Sequence, residues 1–215
     1  MGRRKMAKHI ICIAFVFSLV GCPIAQYPRT SGPTAINVQG TYFHSNSGMN
    51  FPENVGPFRR GTVSLFDSTG TNIGVGYNLG DLVFQVAVTV YVYPAPSVVS
   101  IVSPAEVTAR AKELSVQQHF ETVKSDIIRA HPEARLVSEE EVTLVQAGGI
   151  QKGKKASFEF EGVFANQRQQ LKSHAYLFVH GKWFIKYRIT YPQDIDGAVR
   201  EKIKDFMNSL QWPMK

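Results

Sequence analysis

What most limits the fold of this 215-residue chain is a change in its hydrophobic period. Apolar residues recur at helical spacing in two stretches, and between those stretches they recur at every second position, which only an extended strand can turn into one continuous face. The first helical stretch opens on Ser103-Pro104-Ala105-Glu106. Here Ser is the N-cap, Pro takes the first helical position, and Glu three residues after the cap closes a capping box. Val107, Ala111, Leu114, Phe120, Val123, Ile127 and Ile128 carry an apolar stripe down to His131-Pro132, where the proline ends the helix. The second helix covers residues 197–210, with Val199, Ile203, Phe206, Met207 and Leu210 on one face. Between the helices, residues 141–146, 155–164, 172–180 and 182–191 alternate as strands. The last two meet at a short hairpin signal, His180-Gly181. Trp183, Ile185, Tyr187, Ile189 and Tyr191 then line one face, with Lys186 and Arg188 on the other.

Upstream, residues 62–67 and 73–78 flank the turn signal Asp67-Ser68-Thr69-Gly70 and predict a hairpin. A third strand over 83–93, continuously apolar at Val86-Ala87-Val88, predicts a central position covered on both faces. Residues 51–58 read as an extended lead held by Pro52 and Pro57. The resulting fold class is α+β: an antiparallel sheet of about seven strands with two main helices packed on it, sandwich-like in the α/β/α sense. A hydrophobic fraction of 44% excludes a wholly disordered chain, and two cysteines exclude a disulfide-stapled mini-protein or a four-cysteine zinc site.

The N-terminus has a basic head up to Lys8, an apolar run from Ile10 to Val20 broken only by Ser18, and then Leu19-Val20-Gly21-Cys22. That run is too short to span a bilayer, which takes about 20 apolar residues, but long enough for a signal peptide. The tetrapeptide resembles the lipobox of bacterial lipoproteins. The resemblance implies a signal peptide over residues 1–21, cleavage before Cys22 and acylation of its thiol, giving a lipoprotein held in the membrane through two or three acyl chains. Cys12 leaves with the signal, so lipidation also accounts for the lone mature cysteine. Pro23 stands where an aspartate would mark inner-membrane retention, so the outer membrane, periplasmic side, is favoured in a Gram-negative host. Residues 22–40, with Pro23, Pro28, Gly32 and Pro33 among polar residues, read as a flexible tether, and residues 41–215 as a single domain. The net charge of +7 is largely a property of the leader. Arg3, Arg4, Lys5 and Lys8 supply four charges with no acid beside them, and subtracting those four leaves +3, which disfavours a nucleic-acid partner.

The order of elements, with a glycine-marked strand pair early, a long middle helix and a terminal helix closing on Phe206-Met207-Asn208-Ser209-Leu210, resembles the PsbP-like α/β/α sandwich over residues 50–212. The resemblance implies a non-catalytic, assembly-assisting domain at a membrane, and carries over no binding residue.

Motifs for chemistry are sparse. His9 lies in the signal and His44 in or near the tether. His174 and His180 share a strand face but stand about 20 Å apart at ~3.3 Å per residue, beyond the reach of one metal ion. His119 and His131 are twelve residues apart, which is not a chelating interval. Surface or turn histidines are the expectation, with no metal and no cofactor. No serine sits in a G-x-S-x-G elbow. Gly74-Val75-Gly76-Tyr77-Asn78-Leu79-Gly80 is one residue off a dinucleotide fingerprint and lies within a strand, so a bulge or close packing is expected there. Glu139-Glu140-Glu141 reads as a solvated loop. Glu159 and Glu161 share a strand face, as do Lys186 and Arg188, and cross-strand pairing is the plain account of such rows. The sharpest surface feature is the basic turn Lys152-Gly153-Lys154-Lys155, with Arg59 and Arg60 as possible additions. At about 1 kcal/mol per basic residue, Lys152, Lys154 and Lys155 are candidates for contact with an anionic envelope surface.

Two readings of function follow. The first is a lipid-anchored, non-catalytic binding or assembly module of the cell envelope, with an envelope protein or anionic surface as partner. The second is an envelope hydrolase with an unrecognised active site. The lack of a nucleophile–base constellation favours the first, whereas perturbed carboxylates or histidines gathered in one deep pocket would favour the second. Replacing Cys22 with Ser is expected to abolish acyl labelling and signal peptidase II processing; unchanged acylation of that variant would remove the lipoprotein assignment.

Overall fold

The computed structural model describes residues 32–80, 85–96 and 105–214; the leader, Cys22, Ser103 and Pro104 lie outside them. The N-terminal half forms β1 (Thr34–Ile36), β2 (Tyr42–His44), β3 (Met49–Phe51), β4 (Asn54–Val55), β5 (Phe58–Leu65), β6 (Ile73–Leu79) and β7 (Val86–Pro94). Then come α1 (Ala105–Ala130), β8 (Arg135–Gln146), β9 (Gly149–Phe164), β10 (Gln167–His180), β11 (Trp183–Pro192) and α2 (Asp196–Ser209). One antiparallel sheet runs in the order β1-β5-β6-β7-β11-β10-β9-β8, and β4 adds to β5. It has nine strands where about seven were expected, because two short strands come from stretches read as tether and extended lead. β2 and β3 form a separate pair.

Alternation along β11 divides the molecule into layers. Trp183, Ile185, Tyr187, Ile189 and Tyr191 point into a core shared with β5–β7 and α2, where Val199, Ile203, Phe206 and Met207 close over the sheet. Burying such side chains contributes roughly 1.5–3 kcal/mol each. The opposite face receives α1 through Phe120, Val123 and Ile127, which pack on Ala156, Phe158, Ala175, Leu177 and Phe184. The helices therefore cover opposite faces, and the α/β/α arrangement stands. The stripe expected along α1 is half filled, since Val107 and Leu114 are exposed. β7 takes the expected central position between β6 and β11.

Local chemistry explains the turns. Asp67 carboxylate oxygens accept hydrogen bonds from the backbone N–H groups of Thr69, Thr71 and Asn72 at 2.9, 3.0 and 2.7 Å, which fixes the predicted β5–β6 hairpin. Across from Gly76 the register of β5 slips between Arg60 and Val63, the bulge that the glycine pattern predicts. The C-terminal segment is tied down as well. Trp212 is buried, donates its indole N–H to Tyr187 Oη at 2.9 Å, and donates its backbone N–H to Gln146 Oε1 at 2.9 Å.

Structure begins earlier than residue 41. Thr34–Ile36 pairs with β5 in the register Thr34↔Leu65, and Arg60 donates to the carbonyls of Phe51 at 2.5 Å and Val38 at 2.8 Å. Arg60 is thus an internal clamp rather than part of a basic surface patch. A domain starting at residue 41 is expected to be less stable to urea than one starting at residue 32 by about 1–3 kcal/mol, because Arg60 loses an acceptor and β5 loses an edge partner. Equal midpoints would show that residues 32–40 contribute nothing.

Candidate functional site

A cavity of about 610 Å³ opens between α2 and the face of β8–β10. Its apolar wall is Val142, Leu144, Phe178, Ile203 and Met207, and its polar wall gathers Lys155, Lys172, His174, Tyr176, Tyr191, Asp196 and Arg200. Sheet register brings the polar groups together. Ser157 on β9 is the cross-strand partner of His174 on β10, and His174 in turn sits opposite Ile189, two residues before Tyr191 on β11. Phe178 reaches the wall because Gly153 opposite it has no side chain; a Cβ there would approach Leu177 O to 2.7 Å. Any larger residue at position 153 would displace the cavity floor.

A chain of hydrogen bonds crosses the site. Tyr191 has a single hydroxyl proton and donates it to Asp196 Oδ1 at 2.8 Å. Its oxygen therefore accepts from His174 Nε2–H at 2.8 Å, which leaves His174 Nδ1 to accept the Ser157 hydroxyl at 2.9 Å. Asp196 Oδ2 also receives Lys172 Nζ at 3.1 Å and Arg200 Nη2 at 2.7 Å. Burial raises the Asp196 carboxyl, but hydrogen bonds from Tyr191, Arg200 and Lys172 outweigh it and bring the group down to about 2. His174 is pushed down to about 4 by burial and by the nearby Lys155 charge, so the ring is neutral at pH 7. Burial raises Tyr191, and accepting its proton fixes Asp196 as the anion of the pair. Tyr176, beside Lys155, is pushed up to about 12 by burial.

This arrangement can pass a proton along a wire, but it offers no exposed nucleophile. Ser157 is 8% exposed and is not among the residues lining the cavity, and both nitrogens of His174 are engaged. The walls instead present Lys155, Lys172, Arg200 and Lys204, each in an ion pair with a carboxylate, beside an apolar floor.

The candidates named from sequence are scattered by the sheet. Lys152, Lys154 and Lys155 lie within β9, not at a hairpin tip; the chain reverses at Ala147-Gly148. Successive strand residues face opposite ways, so Lys152 and Lys154 share one face while Lys155 lines the cavity on the other, donating to Glu140 at 2.7 Å. Arg59 and Arg60 sit on β5, separated from β9 by four strands. Glu139-Glu140-Glu141 belongs to β8 rather than to a loop, with Glu139 bound by Lys124 and Glu140 by Lys155. Glu159 pairs with Arg135 and Glu161 with Arg168, so the expected pairing of these acids with Lys186 and Arg188 does not occur; the two rows lie on opposite faces of the sheet.

The histidines are structural more than superficial. His44 bonds Ser47 Oγ at 2.6 Å and Gly70 O at 2.9 Å, His119 bonds Tyr93 Oη at 2.7 Å, and His180 bonds Pro213 O at 2.9 Å. Among the described residues no three of His, Cys, Asp and Glu are placed to hold a metal ion. Sequence reading missed Tyr191, Asp196 and Ser157, whose roles depend on register across three strands and a helix.

No family model matches this sequence, and no curated protein matches it. Among solved structures it is similar to the solution structure of cyanobacterial PsbP (CyanoP) from Synechocystis sp. PCC 6803, with a TM-score of 0.47 and 11% identity, covering 83% of this chain and 95% of that one.

The neutral His174 makes stability depend on pH. Below the ordinary imidazole value of 6.5 the unfolded chain takes up a proton that the folded ring refuses until about 4, so stability falls as pH drops through that window. The expected loss from His174 is roughly 3 kcal/mol, with His44, His119 and His131 shifted the same way by burial. Urea midpoints for wild type and His174→Gln between pH 7 and pH 4 should differ in slope, the variant being flatter. An imidazole that titrates near 6.5 by NMR would contradict this.

Proposed function

We propose that this protein is a lipid-anchored envelope module that binds an acidic amphiphile in the cavity beside α2, without chemical turnover. The observation that carries the reading is the cavity itself: about 610 Å³, within the range of small-molecule sites, with an apolar floor below Lys155, Lys172, Arg200 and Lys204. An acid head would meet these cations while its hydrocarbon body lay against Val142, Leu144 and Met207. Anchoring through Cys22 would hold the module at the membrane that supplies such ligands, on the periplasmic side of the outer membrane in a Gram-negative host. A protein partner in the envelope would receive or present the ligand.

The hydrolase reading draws on the Ser157–His174–Tyr191–Asp196 chain and on the perturbed groups gathered there. The buried position of Ser157 weighs against it. Laurate serves as the probe that separates the two. Val142→Trp is expected to weaken laurate binding at least about tenfold by filling the cavity, Lys204→Glu to weaken it in a salt-dependent way, and Ser157→Ala to leave it unchanged. Equal laurate affinity for wild type and Val142→Trp would refute the binding site, and ester hydrolysis lost in Ser157→Ala would establish the second reading.

A further inference from the structure

On the other side of the sheet, two cations stand outside any ion pair. Lys186 and Arg188 are two residues apart on β11 and face α1. Lys186 Nζ rests on aromatic faces, 4.2 Å from the Tyr91 ring centroid and 5.7 Å from that of Tyr93. Arg188 Nη1 is buried with no hydrogen-bond partner. Among the described residues neither side chain forms an ion pair. Asp126 lines the same space and its charge favours the Lys186 ammonium, but the ion pair it forms is with Arg129, through Oδ1 at 3.1 Å. A cavity of about 260 Å³ opens onto both cations, with Tyr91, Val123, His131 and Ala175 in its walls.

A desolvated guanidinium with an empty N–H is costly, and a second cation beside it adds repulsion. Burial lowers both groups, Arg188 only to about 10, so the guanidinium stays charged at neutral pH. The missing partner is therefore an anion. A carboxylate would neutralise one charge of two, whereas a phosphoryl group carries about −1.5 to −2 at pH 7 and offers three acceptor oxygens. Arg188 supplies a fork suited to two of those oxygens and Lys186 a point charge for the third. There is also room for an attached group. A hollow of about 200 Å³ shares Tyr91 with this cavity and is floored by Gly74 and Gly76 beside Thr62, Ser64 and Thr89.

We propose that the cavity between β11 and α1 is a phosphoryl-binding site, with Lys186 and Arg188 as the cations that hold a phosphate or phosphomonoester. The site is independent of the cavity beside α2, on the opposite face.

The test titrates inorganic phosphate into the full-length protein in detergent at constant ionic strength, followed by amide NMR at residues 186–188 and by melting temperature. Saturable shifts and a rise in melting temperature are expected with phosphate and not with chloride or acetate. Arg188→Gln and Lys186→Gln should each weaken phosphate binding at least about tenfold, the loss of one charged hydrogen bond. Arg188→Gln should also melt higher than wild type without phosphate, because it removes an unpaired buried charge. Should that variant fail to fold, Lys186→Gln and the wild-type titration decide. Competition by phosphatidic acid vesicles, absent with phosphatidylcholine, would assign the site to a lipid headgroup; phosphate binding that such vesicles leave untouched would assign it to a soluble phosphate. Equal responses to phosphate and chloride, equal affinity for acetate, or unchanged phosphate affinity in Lys186→Gln would overturn the proposal.

Discussion

Strand β11 governs the molecule because it can present only every second side chain to each face. With β7 on one side and β10 on the other, it is paired along both edges, so its register is fixed by hydrogen bonds it cannot slip without exposing Tyr187 and Ile189. The row that faces α2 is aromatic and aliphatic and anchors the core. The row that faces α1 includes Lys186 and Arg188. The sheet thereby holds two unlike environments a strand's thickness apart.

The α2 side shows how one charged group organises a site. Asp196 opens α2 and takes hydrogen bonds from a β11 tyrosine, a β10 lysine and an arginine one helical turn on. Each partner comes from a different element, so the carboxylate joins helix to sheet where the cavity needs a rigid rim. Opposing terms decide its ionisation. Burial favours the acid, three donors favour the anion, and the donors win.

Much of the fold was legible in the sequence wherever a pattern was local. The α2 stripe, the alternation of β11, the Asp67 turn and the bulge at the glycines all follow from spacing within a dozen residues. The β8–β9 hairpin was misread because Lys152-Gly153-Lys154-Lys155 looks like a turn by composition, while the actual reversal uses the plainer Ala147-Gly148 and the glycine at 153 answers a packing demand from Phe178. The extra short strands were hidden in proline-bearing segments whose partners lie on β5. The site was hardly legible at all. Ser157, His174, Tyr191 and Asp196 span 40 residues and meet only through cross-strand register, and the placement of Lys186 and Arg188 on the face away from Glu159 and Glu161 is a fact that no linear pattern displays.

The acidic run in β8 bears on how copies of this protein meet. Among the described residues β8 pairs only with β9 and ends the sheet, leaving one long edge of backbone next to exposed Leu136 and Val137. Such an edge invites a second copy to dock in antiparallel fashion. Centred on Glu140, that pairing would bring Glu140 against Glu140 and Glu139 against Glu141, acids of which Glu139 and Glu140 already hold Lys124 and Lys155. The run of three acids thus sets charge along the free edge, and charged side chains are one of the ways natural sheets blunt such edges.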